Sequence, residues 1–201
     1  MSSRRETALD RLWHKLGIPA DYAQRARQRL HPEAKRLSSI GRTVDDGRRL
    51  RLAPHAATAW RRMQAAAAAD HVELLPLSAF RSVARQTLII RRKLARGQSI
   101  KTILRVSAVP GCSEHHTGRA LDLGTPGHLA LEASFARTPA FRWLKKQADR
   151  YGFRLSYPRR NPHGINYEPW HWCWHATKSS RKTGEKASSG EYRCRLHADT
   201  S

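Results

Sequence analysis

Apolar residues recur at helical spacing from the start of the chain. Leu9, Leu12, Trp13 and Leu16 are three or four positions apart, which places them on one face of a short helix. Gly17 marks the end of that helix. Further helices are predicted over residues 20–30, 54–70, 82–96, 99–108 and 138–152.

Strand character is confined to shorter runs. The residues from Arg119 to Leu123 alternate between polar and apolar, as in a strand, and Pro76 puts the preceding run at an edge or an end of a sheet. The predicted strands cover residues 71–77, 119–123, 153–157 and 168–174, and residues 38–52 have the turn signals of a loop with a short hairpin. This order indicates an α+β fold, with helices packed against a small antiparallel sheet.

The composition divides the chain into three parts. Residues 1–53 form a basic, partly helical segment, and residues 54–176 contain most of the predicted elements. Residues 177–201 are polar, charged and rich in Ser, which predicts a disordered tail.

Composition also limits the class of protein. With 39% hydrophobic residues and six Trp among 201 residues, the chain can build a core. No apolar stretch approaches the roughly 20 residues of a membrane span, and the basic start is not followed by the apolar region of a signal peptide. We therefore expect no membrane span, and the cellular location stays undetermined. The three cysteines are too few for a disulfide scaffold, so buried thiols are expected, although a disulfide between Cys112 and Cys173 stays open.

The charge balance points to an anionic partner. The chain has 38 Lys and Arg against 16 Asp and Glu, a formal net charge of +22. Such an excess is typical of proteins that bind nucleic acid or an anionic cell envelope. Composition alone places nucleic-acid binding first, and the motifs described next reverse that order.

Two short motifs supply the residues of a catalytic zinc site. Residues 113–122 read SEHHTGRALD, and residues 168–172 read EPWHW. Together they offer His115, Asp122 and His171 as three ligands, which leaves a fourth position on the metal for water. Glu168 is a carboxylate that would act as the base beside that water. Because positions i and i+3 of a strand face opposite sides, Glu168 must precede the strand or Pro169 must distort it.

Other histidines compete for the same role. His116 adjoins His115, but the seven-residue spacing to Asp122 favours His115 as the ligand. His171 and His175 have the spacing of a helical zinc motif, yet Trp172 stands where that motif needs Glu. The neighbouring Trp residues are typical of a strand, which argues against the helical motif.

The two motifs resemble those of the zinc D,D-carboxypeptidases that trim bacterial peptidoglycan, the vancomycin-resistance carboxypeptidase type of LAS metallopeptidase. The family pattern is Ser-x-His-x-x-Gly-x-Ala-x-Asp followed by Glu-x-x-His, and every defined position is present. The segment SAFRSVARQ, residues 78–86, resembles the upstream Ser-Gly-Tyr-Arg-Ser-x-x-x-Gln element. The resemblance extends over residues 60–176 and implies a LAS or hedgehog-like peptidase fold.

The resemblance also implies a role for each matching residue. Zn²⁺ would be held by His115, Asp122 and His171, with Glu168 as the catalytic base. Arg81 would pair with the terminal carboxylate of the substrate or polarise its carbonyl. The implied substrate contacts are Ser113 and Gln86.

The expected function is zinc-dependent hydrolysis of peptidoglycan stem peptides by a monomeric metallo-carboxypeptidase that removes the C-terminal D-alanine. Whether the bond is D,D or L,D stays open. The alternatives are an endolysin-type stem-peptide endopeptidase, a zinc-binding module that has lost catalysis, and a basic nucleic-acid-binding protein. The remaining basic residues predict adhesion to an anionic cell-envelope surface.

Overall fold

A computed structural model describes residues 6–176 of the chain. The helices of this region are α1 (Ala8–Lys15), α2 (Tyr22–Arg25), α3 (Pro54–Ala69), α4 (Val83–Ala95), α5 (Ile100–Ile103) and α6 (Pro139–Gln147). The strands are β1 (Ser38–Arg42), β2 (Arg49–Leu52), β3 (Leu75–Ser78), β4 (Ala120–Gly124), β5 (Phe153–Leu155) and β6 (His171–Trp174). Three 3₁₀ helices cover Glu114–Thr117, Ala133–Arg137 and Ala148–Tyr151.

Local sequence signals set the starts of the main helices. The Thr7 and Asp10 side chains form a reciprocal capping box at the start of α1. The Ser82 hydroxyl caps α4 by accepting a hydrogen bond from the amide of Arg85. Pro54 occupies the first turn of α3, where its missing amide hydrogen costs nothing.

The main sheet has four antiparallel strands in the order β3-β4-β6-β5. β3 lies at an edge, as Pro76 predicts, because proline cannot donate a ladder hydrogen bond. β1 and β2 form a separate antiparallel hairpin, which confirms the hairpin predicted within residues 38–52. The predicted α+β architecture is confirmed.

Two apolar clusters stabilise the fold. The larger one fills the space between α3, α6 and the sheet and includes Trp60, Leu121, Leu123 and Phe135. Leu121 and Leu123 point into this core, so their strand neighbour Asp122 faces the other side of β4, as the alternation predicts.

The second cluster joins the N-terminal segment to the rest of the chain. Trp13 of α1 packs with Ile90 of α4 and Ile103 of α5, and its indole nitrogen donates a hydrogen bond to the carbonyl of Pro110. Helices α1 and α2 are therefore packed onto the helices that precede the ligand motif. The predicted boundary at residue 53 stays a prediction about sequence organisation.

Several predicted elements are shorter in the structure. The helix expected over residues 20–30 is reduced to Tyr22–Arg25, because Arg27 adopts a positive φ of 48° that a right-handed helix excludes. The last predicted strand begins only at His171 rather than at residue 168. The helix expected over residues 138–152 tightens to a 3₁₀ turn after Gln147.

Within residues 6–176, none of the helices combines the length and apolar character that a membrane crossing requires. The tail predicted over residues 177–201 lies outside the described residues.

Candidate metal centre and active-site cleft

The three predicted ligands are held by adjoining parts of the sheet. Asp122 in β4 and His171 in β6 are direct partners in the antiparallel ladder. His115 lies on the 3₁₀ helix that precedes β4, and this helix ends at Gly118 with a φ of 63°. A side chain at Gly118 would lie 2.8 Å from the backbone nitrogen of Ala53, so both the conformation and the space require glycine.

The ligand atoms of the three residues converge. They all lie within 4.8 Å of one another, and each residue is only 3% exposed. His115 Nε2 is 3.2 Å from Asp122 Oδ2, and His171 Nδ1 is 3.0 Å from Asp122 Oδ1. Two imidazole nitrogens and a carboxylate are a donor set typical of catalytic zinc. The residues present therefore fit a zinc ion.

Hydrogen bonds at the far side of each imidazole orient it for metal binding. His115 Nδ1 lies 2.7 Å from the carbonyl oxygen of Ala79, which accepts the ring hydrogen and leaves Nε2 facing the site. His171 Nε2 lies 2.8 Å from Glu114 Oε2, so its other nitrogen, Nδ1, faces Asp122. The two imidazoles thus present different nitrogens to the same point.

Glu114 is a functional residue that the sequence analysis missed. Its carboxylate does not reach the ligand atoms of the triad but holds the His171 ring from behind. Its position inside the motif, directly before His115, could have indicated from the sequence that Glu114 lies near the metal site. Because the contact joins residues 57 positions apart, only the fold reveals it.

The electrostatics of the site favour a positive charge between its carboxylates. Burial alone would lower the pKa of His171, but the hydrogen bonds that its ring donates to Asp122 and Glu114 raise it to about 10. Burial alone would raise the pKa of Glu114, yet its contact with His171 lowers it to about 2. Asp122 likewise has a pKa well below its usual range despite burial, because His115 and His171 lie beside it. The same carboxylates would favour a bound metal cation.

The competing histidines are placed elsewhere. Both ring nitrogens of His116 are engaged, since Nδ1 is 2.6 Å from the Arg81 carbonyl and Nε2 accepts from the Gly111 amide at 3.1 Å. His175 follows the last strand and is exposed, so it does not form a helical pair with His171. His115 is thus the histidine of the pair that joins the cluster with Asp122 and His171.

Glu168 lies just before β6, in the turn where the amide of His171 donates to the Glu168 carbonyl at 3.1 Å. This placement resolves the spacing problem, because Glu168 is not part of the strand. Its Oε2 is 3.9 Å from His171 Nδ1, beside the metal triad. Burial raises the pKa of Glu168 to about 7, although His171 opposes that shift.

Arg81 lies in the connection between β3 and α4 and reaches the same site. Its Nη2 is 3.5 Å from Asp122 Oδ2 and 3.3 Å from the hydroxyl of Ser78. Its Nη1 donates to Gln86 Oε1 at 2.8 Å. The guanidinium is thereby fixed with its side chain 19% exposed toward the cleft.

Gln86 lies behind Arg81 rather than in the cleft. Its side chain is 1% exposed, and its amide nitrogen donates to the carbonyl of Ala108 at 2.7 Å. Both ends of the amide thus have partners inside the protein, and one of those partners is Arg81. The substrate contact expected at Gln86 stays a prediction.

One cleft of about 730 Å³ contains the whole constellation. Ser113 lines it, as do the three ligands, Glu168 and Arg81. Tyr157, another residue missed from sequence, also lines it and packs its ring 4.8 Å from that of His171. The volume is of the size that accommodates a small ligand or short peptide end.

The two described cysteines are buried free thiols, so the disulfide left open between Cys112 and Cys173 is not formed. Burial raises the pKa of Cys112 to about 12 and that of Cys173 well above its usual value. Such thiols stay protonated and inert. Cys194 lies outside the described residues.

Comparison with curated proteins finds carboxypeptidases. The putative carboxypeptidase YodJ of Bacillus subtilis is 34% identical over 130 residues, which are 63% of this chain and 47% of that protein. A D-alanyl-D-alanine carboxypeptidase of Enterococcus faecalis is 29% identical over 127 residues, 58% of this chain and 46% of that protein. The chain spans about half the length, or less, of the curated relatives it matches.

Solved structures share the fold. The LD-carboxypeptidase LdcB has a TM-score of 0.59 and 27% identity, over 76% of this chain and 69% of that one. VanYB in complex with D-alanine-D-alanine has a TM-score of 0.59 and 25% identity, over 78% and 87% of the two chains. A VanY D,D-pentapeptidase in complex with Zn(II) has a TM-score of 0.56 and 25% identity, over 77% and 89%.

A family model described as VanY, D-alanyl-D-alanine carboxypeptidase, matches residues 49–177. This match spans more than half of the chain and includes Arg81, the metal triad and Glu168. The motifs, the converged ligand atoms and the shared fold lead to one assignment. The chain belongs to the VanY D-alanyl-D-alanine carboxypeptidase family.

Proposed function

We propose that this chain is a zinc-dependent carboxypeptidase that hydrolyses the last peptide bond of peptidoglycan stem peptides and releases a C-terminal D-alanine. The observation that carries the proposal is the convergence of His115, Asp122 and His171 within 4.8 Å, with Glu168 beside them in one cleft. Relatives whose names state this activity, and a family member solved with Zn(II), support it.

His115 Nε2, His171 Nδ1 and a carboxylate oxygen of Asp122 would hold the zinc ion. When bound, zinc lowers the pKa of a water molecule and polarises a carbonyl group. The protein contributes rigidity, because Ala79 and Glu114 prevent the two imidazoles from rotating.

Glu168 is the residue placed to move protons. Its carboxylate accepts a proton from the water that attacks the scissile carbonyl, and it later delivers a proton to the leaving amine of D-alanine. Burial raises the pKa of Glu168 to about 7, and the positive charges of His171 and Arg81 only partly oppose this rise, so the carboxyl group can both accept and release a proton near neutral pH. No other carboxylate of the described residues lines the cleft apart from Asp122, which belongs to the metal set.

Arg81 is the natural anchor for the free carboxylate of the substrate. A guanidinium forms paired hydrogen bonds with a carboxylate, and Gln86 and Ser78 hold this one in a fixed direction. Ser113 lines the cleft beside His115, and its hydroxyl is the proposed further contact to the substrate. An endopeptidase has no terminal carboxylate to bind, so Arg81 favours the carboxypeptidase over the endolysin-type alternative.

The experiment is mass spectrometry of muropeptides after incubation with the zinc-loaded protein and with a Glu168→Gln variant. Loss of one alanine, absent in the variant, is the expected result. A stem cut internally identifies an endopeptidase, and stems that end in one or in two D-alanines distinguish the L,D from the D,D bond. Cleavage that does not depend on Glu168 contradicts the proposal.

We also propose that the net charge of +22 holds the enzyme, acting as a monomer, at the anionic cell wall that contains its substrate. The basic residues outside the cleft include Arg11 and Lys15 in α1, Arg91 and Arg92 in α4, and several residues of the sequence over 177–201. Sedimentation with purified peptidoglycan that carries its anionic polymers, compared with sedimentation after their removal, tests this adhesion. Equal binding of the stripped and intact walls contradicts it.

A further inference from the structure

We infer that the cleft selects peptides with at least one free carboxylate in addition to the C-terminal one, and that a wall of basic side chains holds that second carboxylate. The inference rests on the proposed function and specifies the substrate class of the same site. We name this set of residues the basic wall. It consists of Arg48, Arg49, Arg51, Arg85 and Lys93, which all line the cleft.

The charges of the cleft do not balance. Its acidic side chains are Asp122 and Glu168, and both belong to the catalytic constellation. In the basic wall, Arg48 has an ion pair with the exposed Asp46 at 3.6 Å. Within residues 6–176, none of the other four wall residues has a carboxylate within 4.0 Å. The wall therefore presents positive charge that these residues leave uncompensated.

The positive charges are also close to one another. Arg48 and Arg85 both act electrostatically on Arg81, and Arg81 in turn acts on Lys93. Like charges in a partly enclosed cleft repel one another, and this repulsion costs free energy. Partial burial and the neighbouring Arg81 lower the pKa of Lys93, although Glu168 opposes the shift. An anion bound among these groups would relieve the repulsion.

Part of the basic wall lies along one side of helix α4. Arg85, Ile89 and Lys93 are spaced at i, i+4 and i+8, so they form one stripe of the helix, and all three line the cleft. Lys93 Nζ donates to the hydroxyl oxygen of Ser107 at 3.1 Å, which ties the ammonium to the cleft. Because Ser107 accepts that bond, its own hydrogen is available to a ligand. Lys93 and Ser107 together present donors suited to a carboxylate.

The size and surroundings of the wall favour a peptide over a nucleic acid. The basic residues share one cleft of about 730 Å³ with the metal triad, whereas nucleic-acid binding uses an extended track of charge. Val106 and Leu131 line the same cleft and are 44% and 45% exposed, which suits aliphatic side chains such as that of alanine. The fitting ligand is a short peptide that is acidic and also aliphatic.

The test compares two stem-type peptides that both end in D-Ala-D-Ala. In one, an internal acidic residue has a free carboxylate; in the other, the same group is a carboxamide. We expect the zinc-loaded protein to cleave the free acid with a kcat/KM roughly tenfold higher at low salt, mainly through a lower KM. An L,D-specific enzyme is tested with the pair shortened by one D-alanine.

Substitutions in α4 test whether the basic wall causes the preference for the peptide with the free carboxylate. Arg85→Gln and Lys93→Gln are expected to bring the ratio of the two kcat/KM values toward one. Arg91→Gln is the matched control, because Arg91 is exposed, lies on the opposite side of the same helix and does not line the cleft. Since Arg85 is itself exposed, its replacement does not disturb the core.

The outcomes separate this inference from the proposed function. Equal cleavage of both peptides overturns the inference and leaves the carboxypeptidase in place. If neither peptide is cleaved, the proposed function fails. The inference is then tested by calorimetry, and equal affinity for the two peptides overturns it as well. A single-stranded oligonucleotide that displaces the acidic peptide is a further outcome. If Arg85→Gln also lowers the affinity for both ligands equally, the cleft is a nucleic-acid groove and the inference is overturned.

Discussion

The two ends of the cleft are built in opposite ways. At the metal end, His115, Asp122 and His171 are each 3% exposed, and each is fixed by further hydrogen bonds. In the basic wall, the arginines are exposed and, except for Arg48, have no ion pair within the described residues. The buried, hydrogen-bonded ligands hold a metal ion in one fixed geometry, whereas the exposed arginines attract an anion through long-range electrostatics that salt can screen. We therefore expect all-or-none responses at the metal end and graded, salt-sensitive responses at the wall.

Removal of a ligand should have the largest effect. We expect His171→Ala to lose stoichiometric zinc and to lower activity by at least about 10³-fold, because several kcal/mol of transition-state stabilisation depend on the metal. Zinc content by mass spectrometry and release of D-alanine measure both effects. The matched control is His175→Ala, since this histidine is exposed and outside the site. Zinc retained in His171→Ala but lost in His175→Ala would reverse the assignment.

Replacement of Glu168, the proposed base, should have the second largest effect. Glu168→Gln should lower kcat by about 10²–10⁴-fold while zinc stays bound, because the amide cannot accept the proton and Glu168 is not one of the three ligands. Turnover and metal content are measured on the same sample. Glu132→Gln, at an exposed position outside the cleft, is the control. Loss of metal from Glu168→Gln would make this residue a ligand rather than the base.

The orienting residue should have an intermediate effect. Glu114→Ala frees the His171 ring, and we expect zinc affinity to fall about 10–100-fold. Glu114→Gln keeps an oxygen that accepts the ring hydrogen, so its loss should be smaller. Competition with a fluorescent chelator gives the zinc Kd of each variant. Equal losses in the two variants would indicate a charge effect rather than orientation of the imidazole.

Salt should have the smallest effect, and it should separate the two ends of the cleft. Raising the salt from about 0.05 M to about 0.5 M shortens the screening length and should raise KM for an acidic stem peptide a few-fold. The buried metal end is screened little, so kcat and zinc content should stay constant. Steady-state kinetics at both salt concentrations measure the split. A fall in kcat without a change in KM would contradict this division of roles.

Helix α3 and helix α2 show where local sequence is sufficient for the fold. The Ala-rich run with Pro54 in its first turn predicted a helix over residues 54–70, and the helix spans Pro54–Ala69. The segment over residues 20–30 is also rich in good helix formers, yet only Tyr22–Arg25 is helical and Arg27 has a positive φ, so propensity alone does not decide its conformation. Beyond this point, tertiary contacts decide its path, such as the hydrogen bond from the amide of His31 to the Gly111 carbonyl.

The candidate site shows the same division. The sequence by itself determined which residues are the candidate metal ligands and the candidate base, because the chemistry of zinc restricts both the residue types and their spacing. It did not show that Gln86 supports Arg81, that Glu114 orients His171, or that five basic residues share the cleft. Those roles depend on distances between residues far apart in the chain. Only the tertiary structure decided them, because a side chain acts through what it touches, and contacts are set when the elements pack.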